Sequence, residues 1–283
     1  MIIIKTAQEI NQYLLHKRIK NIQIGFVPTM GALHNGHISL IQESKSKTDL
    51  TVCSIFVNPT QFNDTLDFEK YPITIENDIL MLEKAGCDIL FFPSVQEIYP
   101  SKSNTEKIYN LGFIETVFEG VYRPGHFNGV CMVVERLLNI VNPHRLFLGQ
   151  KDYQQCIVIK KLIEIIGVDI DVKICSTHRE FNGLAMSSRN RRLKENQLYQ
   201  ASAIYHCFQD IKKNVSKNNF KNIIEQAKTT LLNSGFDKID YLNFANANSL
   251  EPIEKWDDKT PIVILVAAFI GGVRLIDNMR LTN

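Results

Sequence analysis

Charge of either sign is in almost no excess in this chain. Across 283 residues, 32 lysines and arginines face 30 aspartates and glutamates, a formal net charge of +2. So even a balance gives no electrostatic footprint for nucleic acid or for an anionic membrane surface. No apolar run approaches the roughly 20 residues that a membrane helix needs. The opening Met1-Ile2-Ile3-Ile4-Lys5 is interrupted too soon to act as a signal peptide. None of the six cysteines forms a C-x-x-C pair, and most lie inside apolar runs, where a thiol behaves as a small hydrophobe. Internal repeats and low-complexity tracts are lacking too. What these absences leave is a cytoplasmic, soluble protein of a reducing compartment. Its 45% hydrophobic content suffices for a substantial core in one large domain or two.

The richest stretch is Gly25-Phe26-Val27-Pro28-Thr29-Met30-Gly31-Ala32-Leu33-His34-Asn35-Gly36-His37. Its apolar start, residues 22–27, reads as a buried parallel strand, and Ile38-Ser39-Leu40-Ile41 opens an amphipathic helix ending near 45–47. A strand, a small-residue turn and a helix N-terminus together present free backbone N–H groups and the positive end of the helix dipole, which favour an anion. His34 and His37, three residues apart, share a face on the first helical turn. Two imidazoles there suit a phosphate chain whose charge builds up as a leaving group departs. The plainer alternative is that one histidine caps the helix and the other is incidental. The H-x-G-H pair resembles the HIGH signature of class I adenylate-forming nucleotidyltransferases.

Taken in order, residues 7–20 have helical spacing and a basic end. Residues 50–57 form a second strand buried on both faces, ending at Asn58-Pro59-Thr60-Gln61-Phe62. Ile75, Ile79, Leu82 and Ala85 mark a helix stopped by Gly86, and 88–93 is a third strand. The signal weakens over 101–129, where 123–127 reads as a loop. A buried helix over 130–141, a strand at 145–149, a helix to 166 and a strand at 171–175 follow. Strands alternating with helices imply a doubly wound, Rossmann-like parallel sheet, an α/β fold over 1–176, with ligands beyond the strand C-termini at a topological switch point. Beyond Thr177, with a polar loop at 179–190, the pattern changes. Helices at 195–213 and 220–234 precede strands at 238–245, 262–270 and 273–277, the last two joined by Gly271-Gly272. A tight turn between β-rich runs implies an antiparallel sheet, hence a smaller C-terminal α+β domain over 177–283.

Four blocks stand in the order and rough spacing of pantothenate synthetases (pantoate–β-alanine ligases): residues 28–37, 56–62, 149–155 and 183–190. The resemblance covers the whole chain. It implies an ATP-dependent ligation in which pantoate's carboxylate attacks the α-phosphorus, pyrophosphate leaves, and the amine of β-alanine displaces AMP from the pantoyl adenylate. By the same resemblance Met30, Gly31, Ala32, Leu33, His34, Asn35, Gly36 and His37 meet ATP, with His34 and His37 on the phosphates and His37 in the proton-donor place. Lys151 matches the lysine that neutralises the triphosphate. Gly149, Gln150 and Asp152 fit the adenosine edge, Asp152 as an acceptor for ribose hydroxyls. Met186, Ser187, Ser188 and Arg189 are similar to the family's KMSKS-like loop, and His178 falls where a backbone meets adenine. Gln61 and Gln155 match the two glutamines that hold pantoate; Asn58, Arg123 and His126 are carried with them on the substrate side. Neutral amides suit a hydroxy acid whose carboxylate must stay nucleophilic.

Two residues depart from the family pattern: Gln150 stands where many members have Glu, and His178 where a small apolar residue is usual. The metal expected is Mg²⁺ carried with ATP, since hard cations arrive with phosphates and waters. A protein-held metal is not expected, because no third His or Cys stands at ligand spacing beside H-x-x-H. A homodimer is expected, and because the Met186–Asn190 loop lies just after the change of pattern at Thr177, residues 177–283 read as a lid over a nucleotide- and pantoate-binding domain at 1–176. Two other readings compete: a class I enzyme passing AMP to a phosphate or nucleotide acceptor, and a non-catalytic ATP sensor. The glutamine pair weighs against the first. Against the second stands the full set His34, His37, Lys151, Ser187, Ser188 and Arg189, since a sensor needs affinity but no transition-state groups.

Overall fold

The structure is a computed structural model that describes residues 1–62, 65–100, 107–216, 220–257 and 259–281. The weak-signal stretch beginning at residue 101 therefore lies in part, over 101–106, outside the described residues. The chain divides into two compact units: Met1–Gln150 with Gln155–Ser176, and Lys151–Gln154 with Thr177–Asn283.

In the first unit six parallel strands, β1 (Ile2–Ile4), β2 (Ile24–Thr29), β3 (Leu50–Ile55), β4 (Ile89–Phe91), β5 (Arg145–Gly149) and β6 (Asp171–Cys175), lie in the order β1-β4-β3-β2-β5-β6. The chain runs outward from β2 through β3 to β4, then returns to place β5 on the other side of β2. That reversal makes the gap between β2 and β5 the switch point. Every residue of β3 is buried, as expected of a central strand covered on both faces. β2 pairs with β3 along its length but with β5 only at Gly25 and Phe26. The pairing stops two residues before Pro28, which has no N–H to offer a ladder. Helix His126–Val141 is buried nearly all round and comes so close to the turn at Pro59–Gln61 that a Cβ on Gly129 would sit 2.3 Å from the carbonyl oxygen of Thr60.

Three features differ from the sequence reading. The short edge strand β1 pairs with β4, although three residues carry too little pattern to announce a strand. The helix expected from residue 130 starts at His126, so the second half of the supposed 123–127 loop is its first turn. The single helix expected over 195–213 is broken at Ser202 into Glu195–Ala201 and Ala203–Asn214.

The second unit is an antiparallel sheet, β7 (Lys238–Asn246), β8 (Ile262–Ile270) and β9 (Val273–Arg280), with helices whose apolar stripes share its core. Phe208 and Ile211 of one helix, Phe220 and Leu231 of helix Phe220–Asn233, and Phe244 and Val266 of the sheet lie in one cluster. Gly271 and Gly272 both take positive φ, the backbone that a two-residue hairpin demands. Among the described residues no helix is long and apolar enough to cross a membrane.

Candidate active site

In the first unit, the end of β2 delivers the glycine-rich turn to the switch point, and the helix that follows, Asn35–Lys47, begins at the histidines themselves. His34 is the N-cap, and its Nδ1 accepts from the Gly36 amide at 3.2 Å. The Nδ1 of His37 accepts in turn from the His34 amide at 3.3 Å, and the two ring centroids are 4.0 Å apart. Both histidines therefore take part in the cap. An Nδ1 that accepts carries no proton, so each neutral ring holds its proton on Nε2. The cap thus selects two Nε2–H donors side by side, the tautomers able to donate to an oxyanion.

The turn's amides do not stand free, contrary to the reading of the turn as a row of open N–H groups. The Gly31 amide donates to Thr29 Oγ1, and those of Ala32 and Leu33 donate to the two carboxylate oxygens of Asp78, each at 2.8 Å. Asp78 is 1% exposed and also accepts from Thr74 Oγ1 at 2.9 Å. Ala32, with φ +50°, holds a backbone conformation rare for a residue with a Cβ, and the carboxylate clamps it there. Asp78 was not singled out from the sequence. The available signal was a carboxylate on the same helical stripe as Ile75 and Leu82, where burial demands a partner.

Gln61 lies against this turn, its Nε2 2.7 Å from Met30 Sδ. Asn58, 1% exposed, donates from Nδ2 to Gln61 Oε1 and to the Gly129 carbonyl, while its Oδ1 accepts from Tyr99 and Thr60. Its side chain thus works inside the protein, orienting Gln61. His126, also buried, holds the same residue from the other side through the Gln61 carbonyl oxygen at 2.8 Å. A carbonyl only accepts, so Nδ1 of His126 is the donor. Its Nε2 then accepts from the Arg123 guanidinium at 3.0 Å, and that guanidinium reaches Glu119 at 3.5 Å. Asn58, Arg123 and His126 form one brace around Gln61. Gln155 stands half-buried on the first turn of helix Tyr153–Ile166.

In the second unit, Lys151 and Asp152 follow Gly149 and Gln150 from the end of β5. Their side chains are 3.5 Å apart, and Asp152 is 47% exposed, so this is a loose surface pair worth at most about 1 kcal/mol. The 178–189 loop is closed by an antiparallel bridge between Arg179 and Ala185, and by the Met186 amide donating to the His178 carbonyl. The His178 side chain is exposed. Ser187 caps a 3-10 turn, Ser188–Arg192, through the Arg189 amide at 3.3 Å, and Ser188 is buried. Arg179 forks onto Asp277 at 2.6 and 3.1 Å and lies over the Tyr205 ring. Burial pushes the Asp277 carboxyl up from its usual range, and the Arg179 guanidinium pulls against that shift.

A family model described as pantoate-beta-alanine ligase matches residues 2–280. The pantothenate synthetase of Cytophaga hutchinsonii is 42% identical over 99% of this chain and 99% of its own length. The crystal structure of pantothenate synthetase from Thermus thermophilus superposes with a TM-score of 0.91 at 33% identity, covering 100% of both chains. That of the pantoate-beta-alanine ligase from Francisella tularensis, complexed with beta-gamma ATP and beta-alanine, gives a TM-score of 0.82 at 38% identity over 99% of this chain and 98% of its own. With its parallel sheet switching at β2 and β5, its H-x-G-H cap and its antiparallel C-terminal sheet, the chain belongs to the pantoate–β-alanine ligase family.

Proposed function

We propose that this chain, a pantoate–β-alanine ligase, condenses pantoate with β-alanine through a pantoyl adenylate, and that the residues named above divide the work by half-reaction. In the first, a pantoate carboxylate oxygen forms a bond to the α-phosphorus as the bond to the β-phosphate oxygen breaks. His34 and His37 donate from Nε2 to phosphate oxygens, while Lys151, Ser187, Ser188 and Arg189 meet the charge that moves onto pyrophosphate. Most of the acceleration in such a displacement comes from positioning and electrostatic stabilisation. Gln61 and Gln155 hold pantoate, and Asn58, Arg123 and His126 act by fixing Gln61. Gly149, Gln150, Asp152 and the backbone at His178 lie along the adenosine, and Met30 to Gly36 form the turn it rests on. In the second half-reaction the amine nitrogen of β-alanine bonds to the acyl carbon, the bond to the phosphate oxygen breaks, AMP leaves, and the amine's proton passes to solvent.

Mg²⁺ enters with the triphosphate. In this reading its ligands are phosphates and water. The same reading makes residues 177–283 a lid that keeps water from the acyl adenylate, and the protein a homodimer of the cytoplasm. The observation that carries the whole is the cap: it fixes both histidines as Nε2–H donors at the end of the strand where the sheet reverses. The test is exchange of labelled pyrophosphate into ATP. Exchange should require pantoate and proceed without β-alanine. Exchange that needed β-alanine would replace the two-step account with a concerted one.

A further inference from the structure

Along β9 burial alternates until Asp277 and Asn278, two adjacent polar residues that are 5% and 2% exposed. Strand geometry sends successive side chains to opposite faces, so a buried polar pair in sequence needs partners on both. Each has them. Asp277 takes both arms of Arg179, whose Nη1 also donates to the Gly183 carbonyl at 3.1 Å; Arg179 is the first residue of the bridge that closes the 179–185 loop. Asn278 donates from Nδ2 to the Lys151 carbonyl at 2.8 Å, across 127 residues of sequence. Asp277 Oδ1 accepts the backbone N–H of Asn278 at 2.8 Å, which ties the Asp277 side chain to the backbone of its neighbour.

We infer that Asp277 and Asn278 are positioning residues for adenylation, one strand dipeptide that fixes both Lys151 and the base of the loop carrying Ser187, Ser188 and Arg189. The inference rests on the reading of those four residues as the triphosphate set. The hydroxyls and the ammonium that must meet one polyanion come from segments far apart in sequence. Their relative placement is set where both segments are tied to the same two consecutive residues. Neither Asp277 nor Asn278 touches the reacting atoms.

The test is a double-mutant cycle on the full chain, with both half-reactions followed separately. Asn278→Leu keeps nearly the same shape but cannot donate to the Lys151 carbonyl; Asp277→Asn weakens the grip on Arg179. A misplacement of about 1 Å costs on the order of 10²-fold, so each variant should lose about 10- to 100-fold in the rate of pantoate-dependent pyrophosphate exchange. Coupling of preformed pantoyl adenylate to β-alanine should change by less than about threefold, because the triphosphate has already gone, whereas a general loss of folding would slow both. Asn278→Leu combined with Lys151→Ala should be no slower in exchange than Lys151→Ala alone, since residues acting through one group are not additive. Asp277→Asn combined with Lys151→Ala should be slower than either.

Equal losses in the two half-reactions, or an additive Asn278–Lys151 cycle, overturn the positioning role. If Lys151→Ala exchanges at the wild-type rate, the reading of the triphosphate set fails and the inference with it. If Lys151→Ala is slow while Asn278→Leu is normal, only the inference fails. Should Asn278→Leu not fold, Asn278→Ser, smaller and still polar, takes its place in the cycle with the same criteria.

Discussion

In the first unit the two candidate histidines are held by bonds to the main chain of their own turn, while in the second unit the candidate groups are held by side chains that reach across the fold. His34 and His37 are fixed by amides two and three residues away. Arg179 meets Asp277 across 98 residues, and Asn278 meets Lys151 across 127. A histidine pair fixed by amides of its own turn depends on few other groups, so substitution there acts on one or two bonds. A set fixed by long-range side chains depends on the packing of the whole unit, so the same small change can misplace several groups at once.

The largest effect should come from Lys151, proposed above to meet the triphosphate and carried into the second unit on a segment from elsewhere in the chain. Lys151→Ala should lower the adenylation rate by about 10²–10³-fold, or 3–4 kcal/mol, the usual cost of removing a group that stabilises developing charge. Stabilisation that grows in the transition state lowers kcat, so the KM values for ATP and pantoate should move less. Single-turnover measurement of each half-reaction checks this. A loss that fell wholly on ATP affinity would make Lys151 a ground-state contact and weaken the contrast between the units.

Asp78→Asn is the matching test on the first unit. It keeps the shape of the side chain but sets an amide donor against one of the two backbone N–H groups that Asp78 accepts. A buried donor left unsatisfied costs about 1–3 kcal/mol. The midpoint of denaturant unfolding should fall accordingly, and pyrophosphate exchange should slow because the turn ahead of His34 loosens. Unchanged stability would mean that the Ala32 backbone, at φ +50°, holds without the carboxylate.

How much of this could be read from the sequence follows the same division. The H-x-G-H turn was legible because its bonds span two or three residues, within one motif. Lys151 and the Ser187-Ser188-Arg189 run were visible as residue types in family-like blocks, but nothing local said what fixes them. Asp78, 46 residues from the Ala32 amide it accepts, and the Asp277–Asn278 pair could have been found only as polar residues in apolar patterns. The parallel sheet was readable because β3 and β5 are apolar runs with helical stretches between them. β1 was not, because three residues at a sheet edge are defined by their partner β4 rather than by themselves.

A smaller effect is expected at Gln61, where local and long-range supports meet. Asn58 holds it across three residues and His126 across 65. Gln61→Ala should weaken pantoate binding by about 1–3 kcal/mol, the cost of unpaired polar groups, and leave ATP affinity nearly unchanged. Isothermal titration with each ligand separates the two, and normal pantoate binding with poor ATP binding would move Gln61 to the nucleotide.

The smallest effect, none at pH 8, is expected of the thiols, and it probes whether the two units differ in burial as well as in wiring. Five of the six free cysteines, Cys53, Cys87, Cys131, Cys156 and Cys175, lie in the first unit, and only Cys207 in the second. Burial raises Cys87 to about 12 and Cys207 to about 11. An unfolded thiol ionises near 8.5, so between that pH and the folded values the native state binds the extra proton. The stability this contributes is complete below about pH 8.5 and is lost as pH rises through the window, about 2 kcal/mol for the Cys87 thiol by pH 10. At pH 8 a thiol reagent should therefore label the native protein slowly and the urea-unfolded protein fast, with activity unchanged. Calorimetry at pH 8 and pH 10 should show the first unit losing more of its melting temperature than the second. Rapid native labelling of Cys53 or Cys87 at pH 8 would mean that the sheet opens locally, and that the first unit is the less rigid of the two.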